Sequence, residues 1–369
     1  MSSHVHAGRA RGLARAGHQG FLLVALAAAL LGAGGTHAAG ERAASQAADE
    51  RAAPQDADER RGPQESSRFF LAGDGVLELE NAHTHEKVRV VFRNPDGTYS
   101  ADALSKIDAI FRSRGDDERT RVSLRLIELI DFLEDTEKPR RLLLISGYRS
   151  EGYNSAVIAR GGQAARASMH TEGLAADLRF EGVDQRALWN RLRARECCGA
   201  GYYAKSGFVH VDTGKPRFWE ESTSKVGQNL SKGNARVIAR TDYDRYTDLV
   251  GAETSLHAIT LRPLRVSTRA RLEDEQSRTL ATLTLASANG RAVDADGCIT
   301  FAEDEGPGRD VVRVASVEPD ATASAGDRVL RARVVLETCE PRLEATPARI
   351  ESNPIEVSST TLRRTAVGG

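Results

Sequence analysis

The sequence predicts an α+β domain followed by a smaller all-β, sandwich-like domain. Between residues 68 and 221, alternating strand-like runs are interleaved with stretches whose apolar residues recur at helical spacing. After residue 242 only short β-like runs remain, separated by turns containing Gly, Asp and Pro. A polar stretch with Gly and Asn, 222–242, reads as the linker between them, and 359–369 reads as a tail.

The chain opens with a secretory signal over residues 1–38. Arg9, Arg11 and Arg15 form a basic start, Phe21 to Leu31 an apolar run too short for a comfortable membrane span, and Thr36-His37-Ala38 a small-residue cleavage site. No Cys follows the apolar run and no twin-Arg pair precedes it, so ordinary export without a lipid anchor is expected; membrane contact would come only through this segment if uncleaved. Removing the three arginines takes the formal charge from −1 to −4, a mildly acidic balance that gives no reason to expect nucleic-acid binding. Residues 39–67 are rich in Ala, Glu, Asp, Arg, Gln and Pro and read as a disordered tether.

The first domain begins with a hairpin, VLELENAHTHEKVRVVF, whose turn carries His83 and His85; turn residues of this kind are mostly solvated rather than metal ligands. Asp96-Gly97 then turns the chain, and Ser100 caps a helix with Ala103, Leu104, Ile107, Ile110 and Phe111 on one face. A second helix spans 122–133, a buried strand 141–146, and a third helix 151–160, which Gly161-Gly162 stops. Asp184 caps a further helix through Leu188 and Leu192. In the second domain, strands are expected at 258–261, 280–285, 311–314 and 329–336. Cys298 and Cys339 fall there and are expected to pair in an exported chain, whereas the adjacent Cys197 and Cys198 read as free or buried thiols, because a vicinal disulfide is strained. The β domain carries no catalytic motif; its partner is unknown, and it reads equally as an interaction module or a structural extension.

The chemistry concentrates in 142–219. His170, Asp177 and His210 are set out as His-x6-Asp followed by a distant His, and imidazole with carboxylate suits Zn2+ held by three protein ligands with a fourth position open. In FVHVDTG, strict alternation puts His210 and Asp212 on one strand face. Asp177 stands inside an apolar run, where a carboxylate needs a partner. Any one such histidine is more often structural than ligating; the constellation raises the expectation of a site.

SGYRS, S-x-H-x-x-G-x-A-x-D, GYY and FVH-V-DTG-x-x-R-x-W together resemble the YcbK-like murein endopeptidases. These belong to the superfamily of D-Ala-D-Ala and LAS-type zinc peptidases that shares a fold with the Hedgehog signalling domain. The resemblance covers residues 69–221. It implies a Hedgehog-like zinc domain in which His170, Asp177 and His210 ligate zinc, Arg149 reaches a substrate carbonyl or carboxylate, and Tyr148, Ser168 and Tyr203 line the substrate site. Many members of the superfamily place a general base just before the last ligand, where this chain has Gly207 and Phe208. Asp212 is then either the base or a carboxylate that orients His210.

The expected activity is zinc-dependent hydrolysis of a murein cross-link, with zinc polarising the carbonyl and activating water, in the periplasm or at the cell wall. The alternatives are a D,D- or L,D-carboxypeptidase and a metal-bound cell-wall-binding module that does not cleave.

Overall fold

The computed structural model describes residues 67–161, 168–224, 237–257, 263–302, 310–320, 328–339 and 346–365. The expected leader, nearly all of the tether and the strand at 258–261 lie outside the described residues. Among the described residues the architecture is α+β, built on two sheets within one compact unit.

The first sheet contains β1 (Val76–Asn81), β2 (Lys87–Val91), β3 (Leu142–Ser146), β4 (Ala175–Phe180), β5 (Gly199–Tyr203), β6 (Phe208–Asp212) and β7 (Arg217–Glu220), in the order β2-β1-β3-β4-β6-β5-β7. The β1–β2 hairpin has the turn expected from its sequence. His83 there meets the Ile145 carbonyl and His85 meets Glu80, both exposed. Among the described residues, four helices accompany the sheet: α1 (Ala101–Ile110), α2 (Leu124–Glu137), α3 (Glu151–Ala159) and α4 (Gln185–Arg195). Ser100 caps α1 by accepting from the Ala103 N–H, and Asp184 caps α4 by accepting from Arg186 and Ala187. Helix α2 starts after Ser123 and runs four residues past its last apolar position; its polar final turn stays helical until Lys138, which turns left-handed at φ 48°.

Pleating sorts the sheet into two faces. Leu77, Leu79, Leu144, Leu178, Val209 and Val211 pack with Ile107, Leu126, Ile130, Leu188 and Trp189 of the helices in one core. The alternate residues Asp177, His210 and Asp212 therefore project from the opposite face.

One polar knot interrupts the first core. Arg93 Nε donates to Glu128 Oε1 at 2.9 Å, and the Tyr99 hydroxyl donates to the same oxygen at 2.7 Å. Asp131 and Asp135 accept the backbone N–H groups of Gly75 and Asp74, tying the loop before β1 to α2. Those carboxylates, close to Asp74, are thus already occupied in holding backbone.

The second sheet contains β8 (Ile238–Thr241), β9 (Arg245–Tyr246), β10 (Glu253–His257), β11 (Leu264–Asp274), β12 (Thr279–Ser287), β13 (Cys298–Phe301), β14 (Val311–Pro319), β15 (Val329–Thr338), β16 (Arg349–Glu351) and β17 (Ile355–Ser358). All ten strands share one hydrogen-bonded network. The long β11 pairs with β13 through its first residues and with β12 through its last, so a single sheet branches where two separate sheets would face each other in a simple sandwich. Val266, Leu272, Leu283, Phe301 and Leu336 fill its core, and Cys298 is bonded to Cys339 as expected. Strand β8 occupies part of the stretch expected as linker, and a helix, α5 (Ser359–Thr365), occupies part of the expected tail, with Leu362 buried.

The sheets meet through Asp244, which accepts from the Phe70 N–H at 2.9 Å and from Arg125 of α2. Arg125 also donates to the Thr241 carbonyl at 3.0 Å, and the Arg68 guanidinium lies 3.4 Å above the Tyr243 ring.

Candidate metal centre

The site forms where β4 and β6 run side by side. Antiparallel register sets Asp177 opposite His210, and β5 sets Gly201 on the other side of His210. His170 arrives from a short 3-10 turn, Met169–Glu172, that leads into β4. Ser168 caps that turn, its Oγ accepting from the His170 N–H at 3.3 Å, and Gly173 ends it at φ +65°, a left-handed conformation that favours glycine.

Three atoms converge. His210 Nδ1 lies 2.8 Å from Asp177 Oδ1 and 3.2 Å from His170 Nε2, and the His170 Nε2 to Asp177 Oδ1 distance is 3.3 Å. All three side chains are buried. The far nitrogen of each ring is committed. His170 Nδ1 donates to the Gly147 carbonyl at 2.7 Å, and His210 Nε2 donates to Asp212 Oδ2 at 2.9 Å. Those partners fix the tautomers and leave a lone pair on each converging nitrogen. Two lone pairs and a carboxylate oxygen crowded this closely repel one another unless a cation, a metal ion or a proton, sits among them.

The electrostatics agree. Burial, reinforced by the nearby Arg149 charge, pushes the His170 imidazole below its ordinary pKa, the direction that favours a neutral ligand. Burial disfavours the charged form of His210, yet Asp177 and Asp212 outweigh it and move its pKa up. For Asp177, burial is overcome by His170, His210 and Arg149, which hold the carboxyl well below the usual range.

Around these three groups lies a supporting ring. Arg149 donates through Nη2 to Asp177 Oδ2 at 2.7 Å and through Nε to Ser146 Oγ at 2.9 Å. Asp212 is fully buried, accepting from His210, from the Gly214 N–H at 2.7 Å and from both terminal nitrogens of Arg217 at 2.9 and 2.7 Å. Burial opposes the charge on Asp212, but the His210 hydrogen bond and the Arg217 guanidinium keep its pKa well below the usual carboxylate range.

Tyr203 stacks on Phe208 with ring centroids 4.5 Å apart and accepts from Trp219 Nε1 at 3.3 Å; the Trp219 ring lies 5.2 Å from that of His210. Tyr148 is buried, its hydroxyl pushed up in pKa by burial and by the carboxylates of Glu118, Asp116, Glu151 and Glu172. Thus Arg149, Asp212 and the three candidate ligands form one contact network, Ser168 acts on the turn carrying His170, and Tyr203 joins the aromatic group beside His210. Cys197 and Cys198 form no disulfide; their thiols share a hydrogen bond, Sγ to Sγ 3.0 Å.

Sequence reasoning assigned no role to Arg217, Trp219, Gly199 or Gly201. Arg217 and Trp219 stand in DTGKPRFW, and the glycines in GAGYY, where close approach explains them. A Cβ on Gly199 would lie 2.4 Å from Asp212 Oδ2, and one on Gly201 would lie 2.4 Å from the Trp219 indole.

Two imidazoles and a carboxylate, each held from behind, make the donor set of a metal-dependent hydrolase. Comparison with known proteins makes that class specific. The family model described as peptidoglycan L,D-endopeptidase MepK matches residues 72–219, from the loop before β1 to Trp219 of β7. Over 147 residues the chain is 34% identical to the peptidoglycan L,D-endopeptidase MepK of Escherichia coli K12, covering 39% of this chain and 79% of that protein. It is 28% identical over 147 residues to the probable peptidoglycan L,D-endopeptidase MepK of Haemophilus influenzae, covering 39% and 78%. No solved structure gives a significant match. The chain belongs to the MepK family of murein endopeptidases.

Proposed function

We propose that this protein is an exported zinc-dependent endopeptidase that cleaves an L,D peptide bond in peptidoglycan cross-links. Family membership supports the reaction and the substrate. The observation that carries the metal assignment is the 2.8 to 3.3 Å spacing of His170 Nε2, Asp177 Oδ1 and His210 Nδ1. Zinc bonds of about 2.0–2.1 Å at tetrahedral angles separate ligand atoms by about 3.3 Å, so the existing spacing accommodates the ion with little movement. His170, Asp177 and His210 would hold it, and it would supply Lewis acidity toward the scissile carbonyl and the attacking water.

The chain's own residues do the rest. Asp212 orients His210, since its oxygens are taken up by His210, Arg217 and Gly214, leaving it poorly placed to accept a proton from water. Arg149 anchors Asp177 and brings positive charge beside the reacting centre, where an oxyanion develops. Tyr203, Phe208 and Trp219 form an apolar wall beside His210 against which the peptide stem is positioned. Tyr148 and Ser168 flank the strand end and turn that carry Arg149 and His170. Residues 68–221 are read as the Hedgehog-like peptidase domain. The signal-like sequence at 1–38 and the location of peptidoglycan support export.

The test is digestion of purified cross-linked muropeptides by the full mature chain, with products identified by mass. Cross-linked species should be converted to monomers, a chelator should stop the reaction, and added zinc should restore it. Cleavage indifferent to chelator, or release of terminal residues alone, would contradict the proposal.

A further inference from the structure

The family match ends at residue 219, and β8, the first strand beyond it, packs against the turn that carries His170 and the start of β4. Ile238 packs with Met169, Leu174 and Ala175, which bracket the 3-10 turn carrying His170 and the start of β4. Two residues on, Arg240 is buried, and its Nε donates across the sheet junction to the carbonyl of Thr213. Its Nη1 donates to the Ala239 carbonyl at 2.7 Å. The guanidinium thus sits between the two sheets, donating to the Thr213 and Ala239 carbonyls, in a mixed field where Arg125 and Arg217 repel it and Asp212 and Asp244 attract it.

Burying a guanidinium is costly unless its donors are used, so this contact is not incidental surface packing. Thr213 follows Asp212, and its N–H donates to Leu174 at 3.0 Å. Its carbonyl and its N–H are therefore held from two directions. That grip sets the end of β6, where the Asp212 carboxylate turns back onto His210 Nε2. Arg217, which pairs with Asp212 from the other side, cannot replace this contact, because it fixes the side chain and not the backbone.

We propose that Arg240, supplied by the second sheet, is a positioning residue of the metal centre: by holding Thr213 it fixes Asp212, and through Asp212 the ligand His210. The second sheet is then part of the peptidase and not an appended module. This inference rests on the reading of His170, Asp177 and His210 as ligands.

The experiment measures zinc affinity of the full mature chain by competition with a chromophoric chelator, together with thermal melting of the zinc-free form and kcat and KM on cross-linked muropeptides. Zinc held by the wild type and lost from His170→Ala tests the ligand assignment separately. Arg240→Ala should weaken zinc binding by about tenfold, the lower end of the effect expected when a ligand's outer support is disturbed. Arg271→Ala, which breaks ion pairs with Glu273 and Glu337 inside the second sheet, serves as the control and should leave zinc affinity unchanged.

With zinc saturating, Arg240→Ala should regain most of its kcat, a recovery that general destabilisation would not give. If Arg240→Ala does not fold, Arg240→Lys decides. It keeps the charge but lacks the planar fork, so weaker zinc binding at an unchanged melting temperature supports the proposal. Wild-type zinc affinity in a folded Arg240 variant, or an equal loss in Arg271→Ala, overturns it while leaving the ligand assignment intact.

Discussion

Replacing Asp212 with Asn keeps the shape of the side chain and removes its charge. In the native site one oxygen accepts from His210 Nε2 at 2.9 Å, and the two together take both terminal nitrogens of Arg217 and the Gly214 N–H. An amide cannot reproduce this set, because its NH2 must face the His210 N–H, the Arg217 guanidinium or the Gly214 N–H, all donors. His210 loses the partner that fixes its tautomer, and zinc affinity should fall about 10- to 100-fold, or about 1.4 to 2.7 kcal/mol. The assay pairs chelator competition with turnover of cross-linked muropeptides across a zinc titration. An orienting role requires weaker zinc binding with turnover largely recovered at saturating zinc. Unchanged zinc affinity with turnover still down by about 10²- to 10⁴-fold at saturation would refute it and make Asp212 the general base.

Three further outcomes follow from the packing. Gly201→Ala places a methyl 2.4 Å from the Trp219 indole, a strain of about 1–3 kcal/mol; zinc content should hold while KM rises as the aromatic wall shifts, and kinetics with metal analysis check it. Burial, with Asp135, Glu128 and Asp74 nearby, pushes the Asp131 pKa up to about 8, so the folded state binds a proton that the unfolded state releases near pH 4. Stability should therefore fall as pH rises from about 4 to about 8, and Asp131→Asn should flatten that slope in denaturant titrations run across the range. Reducing the Cys298–Cys339 bond opens a loop with a sequence separation of 41 and should cost about 3–4 kcal/mol, read from denaturation with and without reductant.

What the sequence revealed and what it hid divide along physical lines. The α+β class, the caps at Ser100 and Asp184 and the strand alternation of FVHVD are local signals, because capping hydrogen bonds and pleating depend on residues a few positions apart. His170, Asp177 and His210 could be singled out by residue type, but their convergence depends on the pairing of β4 with β6, which no single segment encodes. The role of Asp212 stayed open for the same reason. Its environment is set by Arg217, whose purpose shows only once the β6–β7 turn is closed, and by Gly199 across the strand, whose missing side chain makes room. The sheet junction was the least legible part. Ile238 and Arg240 sit in a polar stretch that reads as linker, and their partners Met169 and Thr213 lie tens of residues away. Branching at β11 was likewise hidden, since alternation marks a strand but not its neighbours.

The central claim is that one zinc ion sits among His170, Asp177 and His210. Anomalous diffraction at the zinc absorption edge, from crystals of the full mature chain grown with zinc, tests it most directly. The expected result is one strong peak within bonding distance, about 2.0–2.2 Å, of His170 Nε2, His210 Nδ1 and an Asp177 oxygen. A peak elsewhere, such as beside Asp74, Asp131 and Asp135, with none between the two histidines, would contradict it.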